Sequence, residues 1–283
     1  MNGFITLILI AVLSINTKAQ TLFDSVTCPE CQELYNSQML KEARDCFLKY
    51  DTSRIAIYNA AIISLNLEDT LSARKLAKQL MKGKYSMAEG YCLYASTFDT
   101  KSKEYTDVIN KGLAKFEDNE TLYGYKVNYY IATENYHEAI NAIDKQIEIS
   151  KDDNASSYFL RGTLYGKMGD IDNSLRNYEL ALKIDPNHFQ SNCDLGAYFY
   201  NKGVEKDQEL IKIQLDDIEH YEELKHDAEI EYRKAITFFV KANETQPQEI
   251  IILEILRNLY HRLSDFDKYN QITKSIEELE NGK

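Results

Sequence analysis

Small and apolar residues recur along this chain at helical spacing, and the recurrence itself repeats. Over residues 156–188, Leu160 and Leu164 keep a first helix apolar, and Gly162, Ser174 and Ala181 place small residues where two helices would approach closely. Tyr165 and Tyr178 fill the space beside them. Gly169-Asp170 predicts the tight turn between the helices. Pro186 cannot continue the second helix, and it pushes Asp185 out of helical geometry. Thirty-four residues further on, Gly162 and Gly169 are echoed by Gly196 and Gly203, and Tyr165 by Phe199. A fixed period of that length is the sign of stacked helical hairpins.

The pattern extends both ways. Residues 123–152 repeat it at a spacing of thirty-five, with Tyr130 matching Tyr165, Ala139 matching Ser174, and Glu134-Asn135 in place of the Gly-Asp turn. Ala61 and Ala73 take the small positions further up. Residues 88–119 fit poorly and read as a degenerate repeat. Ala43 and Phe47, in the second-helix places of residues 32–49, suggest a first hairpin or cap. Leu253, Leu256, Tyr260 and Tyr269 mark a last unit over 249–279, giving about six units. The repeat opening at Phe189 is interrupted, since Ala235, Phe239, Ala242 and Pro247 of its second helix arrive late. Pro186 and Pro247 lie 61 residues apart, one period plus 27. No Gly or Pro falls between Gly203 and Pro247, so the insert over 204–230 predicts a long helical hairpin turning near Asp216-Asp217. Leu210, Ile213, Ile218, Tyr221 and Leu224 are its expected arm-to-arm contacts.

Tyr158, Gly162, Tyr165, Ser174, Tyr178, Ala181 and Pro186 together resemble the tetratricopeptide repeat. Arg161 stands where that family prefers Leu, and Ser174 where it prefers Ala. The resemblance implies an all-α fold, a right-handed superhelical solenoid of helix-turn-helix repeats with one extended helical hairpin. The solenoid would run over 53–283, after a cap or first hairpin at 20–52. Such a fold has no enclosed core for an active site and offers an extended surface for a protein or peptide partner. In the family the first helix of each repeat lines the inner face. Carried over, those positions are Tyr125 and Asn128, then Phe159, Thr163 and Lys167, then Cys193, Ala197, Tyr200 and Asn201. Aromatics beside Asn and Thr suit an extended peptide, through stacking and amide hydrogen bonds. Several of the same Tyr residues also suit packing between repeats. Lys167 and Asn201 alone do not make the carboxylate clamp seen in some relatives.

Composition agrees with a helical chain: 283 residues with 28% charged, 21 Tyr, no Trp and only 3 Pro. The formal charge of -12 argues against nucleic acid and against anionic lipid. Phe4 to Ile15 is apolar, and Thr17-Lys18-Ala19 supplies the small residues of an export cleavage site before Gln20. The run is shorter than the ~20 residues of a spanning helix. Residues 1–19 are therefore expected to be a removable signal, leaving no inserted segment and a mature charge of -13. The expected location is the bacterial envelope: periplasmic, surface-associated or released.

Three sites of candidate chemistry remain. Residues 204–230 hold ten acidic and three basic residues, an arm that would steer a basic partner or simply stay solvated. Within it, Glu223 and His226 resemble half of a carboxylate–histidine metal site, with His220 and Asp227 on the same face; a second Glu-x-x-His is missing. Cys28-Pro29-Glu30-Cys31 resembles a redox motif, but no βαβ pattern accompanies it. In an oxidising compartment a disulfide among Cys28, Cys31 and Cys46 is the plainer alternative. No nucleophile elbow, phosphate loop or HExxH is present. The expectation is a non-enzymatic interaction scaffold without cofactor. The alternatives are a helical solute-binding protein for a glycan or peptide, and a thiol-redox protein acting through Cys28 and Cys31.

Overall fold

The computed structural model describes residues 28–50, 53–150, 154–213 and 217–282. The leader expected over 1–19 lies outside them. Among the described residues there are fourteen α-helices and no strand, and the helices pair into seven hairpins. They fall into two compact units, 1–151 and 152–283.

The first unit contains four hairpins. They are α1 (Pro29–Asn36) with α2 (Leu40–Tyr50), α3 (Arg54–Asn66) with α4 (Thr70–Gln79), α5 (Ala88–Ala95) with α6 (Lys103–Leu113), and α7 (Glu120–Ala132) with α8 (Tyr136–Ile149). The second unit contains three: α9 (Ala155–Lys167) with α10 (Ile171–Ile184), α11 (Phe189–Leu210) with α12 (Ile218–Thr245), and α13 (Ile250–Arg262) with α14 (Phe266–Asn281).

Five of the seven turns share one backbone device. Gln38, Glu68, Glu134, Gly169 and Ser264 each adopt a left-handed conformation, with φ of 60°, 58°, 58°, 81° and 56°. The next residue's N–H then reaches back to the carbonyl five positions earlier. Met39 donates to Leu34, Asp69 to Ser64, Asn135 to Tyr130, Asp170 to Tyr165 and Asp265 to Tyr260, all at 2.8–3.0 Å. This closes each first helix and satisfies one of its last carbonyls. The same following residue caps the second helix in three cases: Asp69, Asp170 and Asp265 accept from the backbone N–H of Ser72, Asn173 and Lys268. Only Gly169 adopts the left-handed state without steric cost. Glu134→Gly is therefore expected to raise stability by roughly 0.5–1 kcal/mol, since relief of the left-handed strain outweighs the extra freedom of the unfolded chain. Urea unfolding measures this, and a loss of stability would contradict the turn geometry.

The poorly fitting stretch also forms a hairpin. In α5, Ala88, Gly90, Tyr91, Cys92, Leu93 and Ala95 are all buried. A helix covered on every side has no polar face, so its pattern carries little helical periodicity. Likewise α3 is buried without a break from Ala56 to Ser64. At the start of the unit a disulfide joins Cys31 on α1 to Cys46 on α2, over a core that includes Ala43 and Phe47.

In the second unit, α11 and α12 carry the insert as extra length at their distal ends. A Cβ on Gly196 would lie 3.0 Å from the Phe239 ring, and one on Gly203 would lie 2.5 Å from the Tyr232 ring. Those two glycines seat aromatic rings from α12 against the backbone of α11, and so set the register of the pair. Beyond Gly203, Lys206 bonds Asp227 at 2.7 Å across the hairpin. Leu224 is buried, but Ile218 and Tyr221 are 68% and 43% exposed. This corrects the expectation that both pack between the arms. In the observed register they lie past Leu210, where α11 ends. Asp217 caps α12 through the His220 N–H, and Asp216, the other expected turn residue, lies outside the described residues.

Candidate functional site

The residues expected on the inner face divide between the two units. In the first, Tyr125 is buried rather than presented to solvent. Its hydroxyl shares a hydrogen bond of 3.1 Å with Ser96 Oγ, and its ring stacks on Tyr105 at 6.1 Å. The Tyr105 hydroxyl donates to the Tyr125 carbonyl. Burial pushes both phenols up, so neither ionises near neutrality. At the spacing of thirty-five, Tyr125 corresponds to Leu160, a position that keeps the first helix apolar. Asn128, which corresponds to Thr163, is half-buried and hydrogen-bonds the Tyr105 hydroxyl.

The second unit brings more of the expected residues together. Phe159 is buried under Tyr178, with ring centroids 5.5 Å apart, and sits 5.3 Å from the His188 ring. Half-buried Thr163 donates to the Phe159 carbonyl, and Tyr178 reaches Thr163 Oγ1 at 3.5 Å. Cys193 is half-buried, and burial together with Asp194 and Glu249 pushes its thiol up to about 12. It is therefore a protonated lining group rather than a nucleophile. Tyr200 is half-buried against Tyr232 at 5.9 Å, while Lys167, Ala197 and Asn201 are exposed. Phe159 therefore belongs to the packing beneath this face, and Thr163, Cys193, Tyr200 and Asn201 to its surface.

Asp194 is the residue that the carry-over missed. It sits one position after Cys193, in register with Leu160 of the preceding repeat. The residue is exposed on α11, and desolvation by the neighbouring protein raises its carboxyl above the ordinary value, with Tyr178 offsetting part of that rise. A carboxylate in place of an apolar residue was the available sequence signal. Nearby, His188 accepts from the Ser191 N–H, and burial lowers its pKa below 6.5.

The raised carboxyl fixes the sign of a pH effect. The folded state disfavours the Asp194 anion relative to the unfolded chain, so the penalty is present at neutral pH and vanishes as pH falls through the folded pKa toward 3.8. Asp194→Asn is expected to melt above the parent at pH 7 and level with it near pH 4. Thermal scans at the two pH values check this, and an equal offset at both would remove the carboxyl from the account.

Other expected chemistry is dispersed. His220 and Glu223 approach to 3.8 Å on the exposed arm. Among the described residues the one cluster able to hold a metal is Cys28, Cys31 and Cys46, two of which form the disulfide. At the base of the arm, Tyr232 donates to Asp207 at 2.5 Å, and Arg262 of α13 pairs with the same carboxylate. Among the described residues no helix is long and apolar enough to cross a membrane.

Paired helices closed by one recurring turn, with polar residues exposed along their first helices, define a helical-hairpin repeat protein. Residues 155–188 match the tetratricopeptide repeat family. Among solved structures, the chain is similar to pilF of Pseudomonas aeruginosa, with 15% identity over 85% of this chain and 95% of that one, and a TM-score of 0.53. It is also similar to a TPR repeats protein from Bacteroides fragilis, with 19% identity over 75% and 99%, and a TM-score of 0.45. No curated protein matches the sequence. Residues 155–188 thus form a tetratricopeptide repeat, and the fold is that of helix-turn-helix repeat proteins.

Proposed function

We propose that this protein is a non-enzymatic adaptor of the bacterial envelope that holds a protein or peptide partner on the α9–α11 face. The repeat fold, with Thr163, Asp194, Tyr200 and Asn201 along the first helices α9 and α11, carries the reading. Asp194 is an exposed carboxylate in register with apolar Leu160 of the preceding repeat, so packing does not call for it. A basic side chain of the partner would pair with it, while Thr163, Tyr200 and Asn201 offer hydrogen bonds and a ring to an extended backbone. Export is supported by the signal-like segment 1–19 and by the disulfide, which persists in oxidising compartments.

The test is crosslinked capture of the tagged protein from an envelope fraction, in parallel with Asp194→Lys. One stoichiometric partner, bound at least tenfold more weakly by the variant, is the expected result. Recovery of the protein alone, or equal capture by the variant, overturns the reading. Sequencing of the captured chain is expected to begin at Gln20, and retention of Met1 would contradict export by cleavage.

A further inference from the structure

Three sulfurs meet at the start of α1. Cys28 is the residue that opens the helix, ahead of Pro29 at its first position. Its thiol lies 2.8 Å from Cys31 Sγ, and Cys31 is already bonded to Cys46. All three sulfurs lie within 4.8 Å of one another. Cys28 is partly exposed, whereas Cys31 is fully buried and Cys46 nearly so. A protein built only to be stapled needs two cysteines here. The third, held against the central sulfur of the bridge, is placed as the attacking group of a thiol–disulfide exchange.

We propose that Cys28, Cys31 and Cys46 form an exchange centre with two disulfide isomers. Cys28 loses its proton to solvent, and the thiolate attacks Cys31 Sγ. The Cys28–Cys31 bond forms as the Cys31–Cys46 bond breaks, and Cys46 leaves as a thiolate that takes up a proton. One disulfide and one thiol are present before and after, so no external oxidant or reductant is consumed. Only the location of the bond changes. In one isomer it ties α1 to α2. In the other it closes a four-residue loop at the start of α1, and the α1–α2 contact rests on packing alone. The released Cys46 also borders a recess of about 560 Å³, alongside Leu34 and Ser37. The centre is thus a switch that unties the first helix and moves the thiol from the outer position to a sheltered one. Nothing in the scaffold reading requires it, and neither proposal depends on the other.

The chain offers a direct readout. Trypsin cuts after Lys41, Arg44 and Lys49, which puts Cys46 alone on residues 45–49 and keeps Cys28 and Cys31 together upstream. The full-length oxidised protein would be incubated at neutral pH, quenched in acid to stop exchange, denatured, alkylated with N-ethylmaleimide and digested. The expected result is label on Cys46 in a measurable fraction of molecules and on Cys28 in the rest, with Cys46 label absent from Cys28→Ser. Label confined to Cys28 in the parent overturns the proposal, as does Cys46 label that survives in Cys28→Ser. Because the readout is which thiol carries the label, a loss of stability in the variant does not mimic either outcome.

Discussion

Alanine at position 90 is expected to destabilise the first unit by about 2–3 kcal/mol, as overpacking against a fixed neighbour does. A Cβ built on Gly90 lies 2.6 Å from Leu80 Cβ and 2.6 Å from the Leu80 carbonyl oxygen. A flexible side-chain tip could swing away. This carbonyl cannot, because it ends α4 and accepts the Met87 N–H at 2.9 Å. The added methyl must therefore push α5 off α4 or break that bond. Gly124, inside α7, makes the matched control, since its Cβ would meet only Gln146 Nε2, at 3.6 Å. There alanine removes a helix-interior glycine without a clash and is expected to stabilise by roughly 0.5–1 kcal/mol. Guanidinium unfolding of the two variants should move the midpoints in opposite directions. Similar shifts would mean that α4 and α5 do not approach as described.

Cys31→Ser is expected to remove about 3 kcal/mol, the loop-closure value for a bridge spanning some fifteen residues. The Cys31–Cys46 separation is 15. Cys28→Ser is combined with it, because the Cys28 and Cys46 sulfurs lie within 4.8 Å and would otherwise pair; the double variant has no bridge among the three positions. Reduction of the parent should produce a comparable drop in thermal midpoint, and the variant should not respond to reductant. Cys46→Ser differs in kind, because Cys28 and Cys31 can still pair, and its melting should keep a smaller dependence on reductant. If the double variant melts with the oxidised parent, the bridge contributes nothing to the fold.

Much of the architecture was legible where function and packing share one period. Gly162 and its echo Gly196 mark close approaches, and the late arrival of Phe239 gave the insert, whereas Gly203, echo of the turn glycine Gly169, lies inside α11 against Tyr232. The first unit was less legible for a physical reason. Periodicity reports a helix with one wet face, and α3 and α5 have almost none. The turns were legible at Gly169-Asp170 and, by repeat register, at Glu134-Asn135, but not at Gln38, Glu68 and Ser264, which adopt the same backbone. For the site, the spacing identified which helices carry it but not which side of each helix. Tyr125, expected on the surface, packs in the interior, and the carry-over also passed over Asp194.

The recurring turn bears on how the chain would yield to tension. Each such turn closes on its own backbone, so a hairpin can open or re-form with little reference to distant sequence. Pulled from its ends, the chain would lengthen in steps whose sizes record the hairpins rather than in one rupture. The step from α11 and α12, helices of 22 and 28 residues, would exceed that from α9 and α10, of 13 and 14. The first hairpin would come up short, because a covalent bridge withholds the segment between Cys31 and Cys46 from extension. A molecule of this construction can give ground at one end while keeping its grip at another.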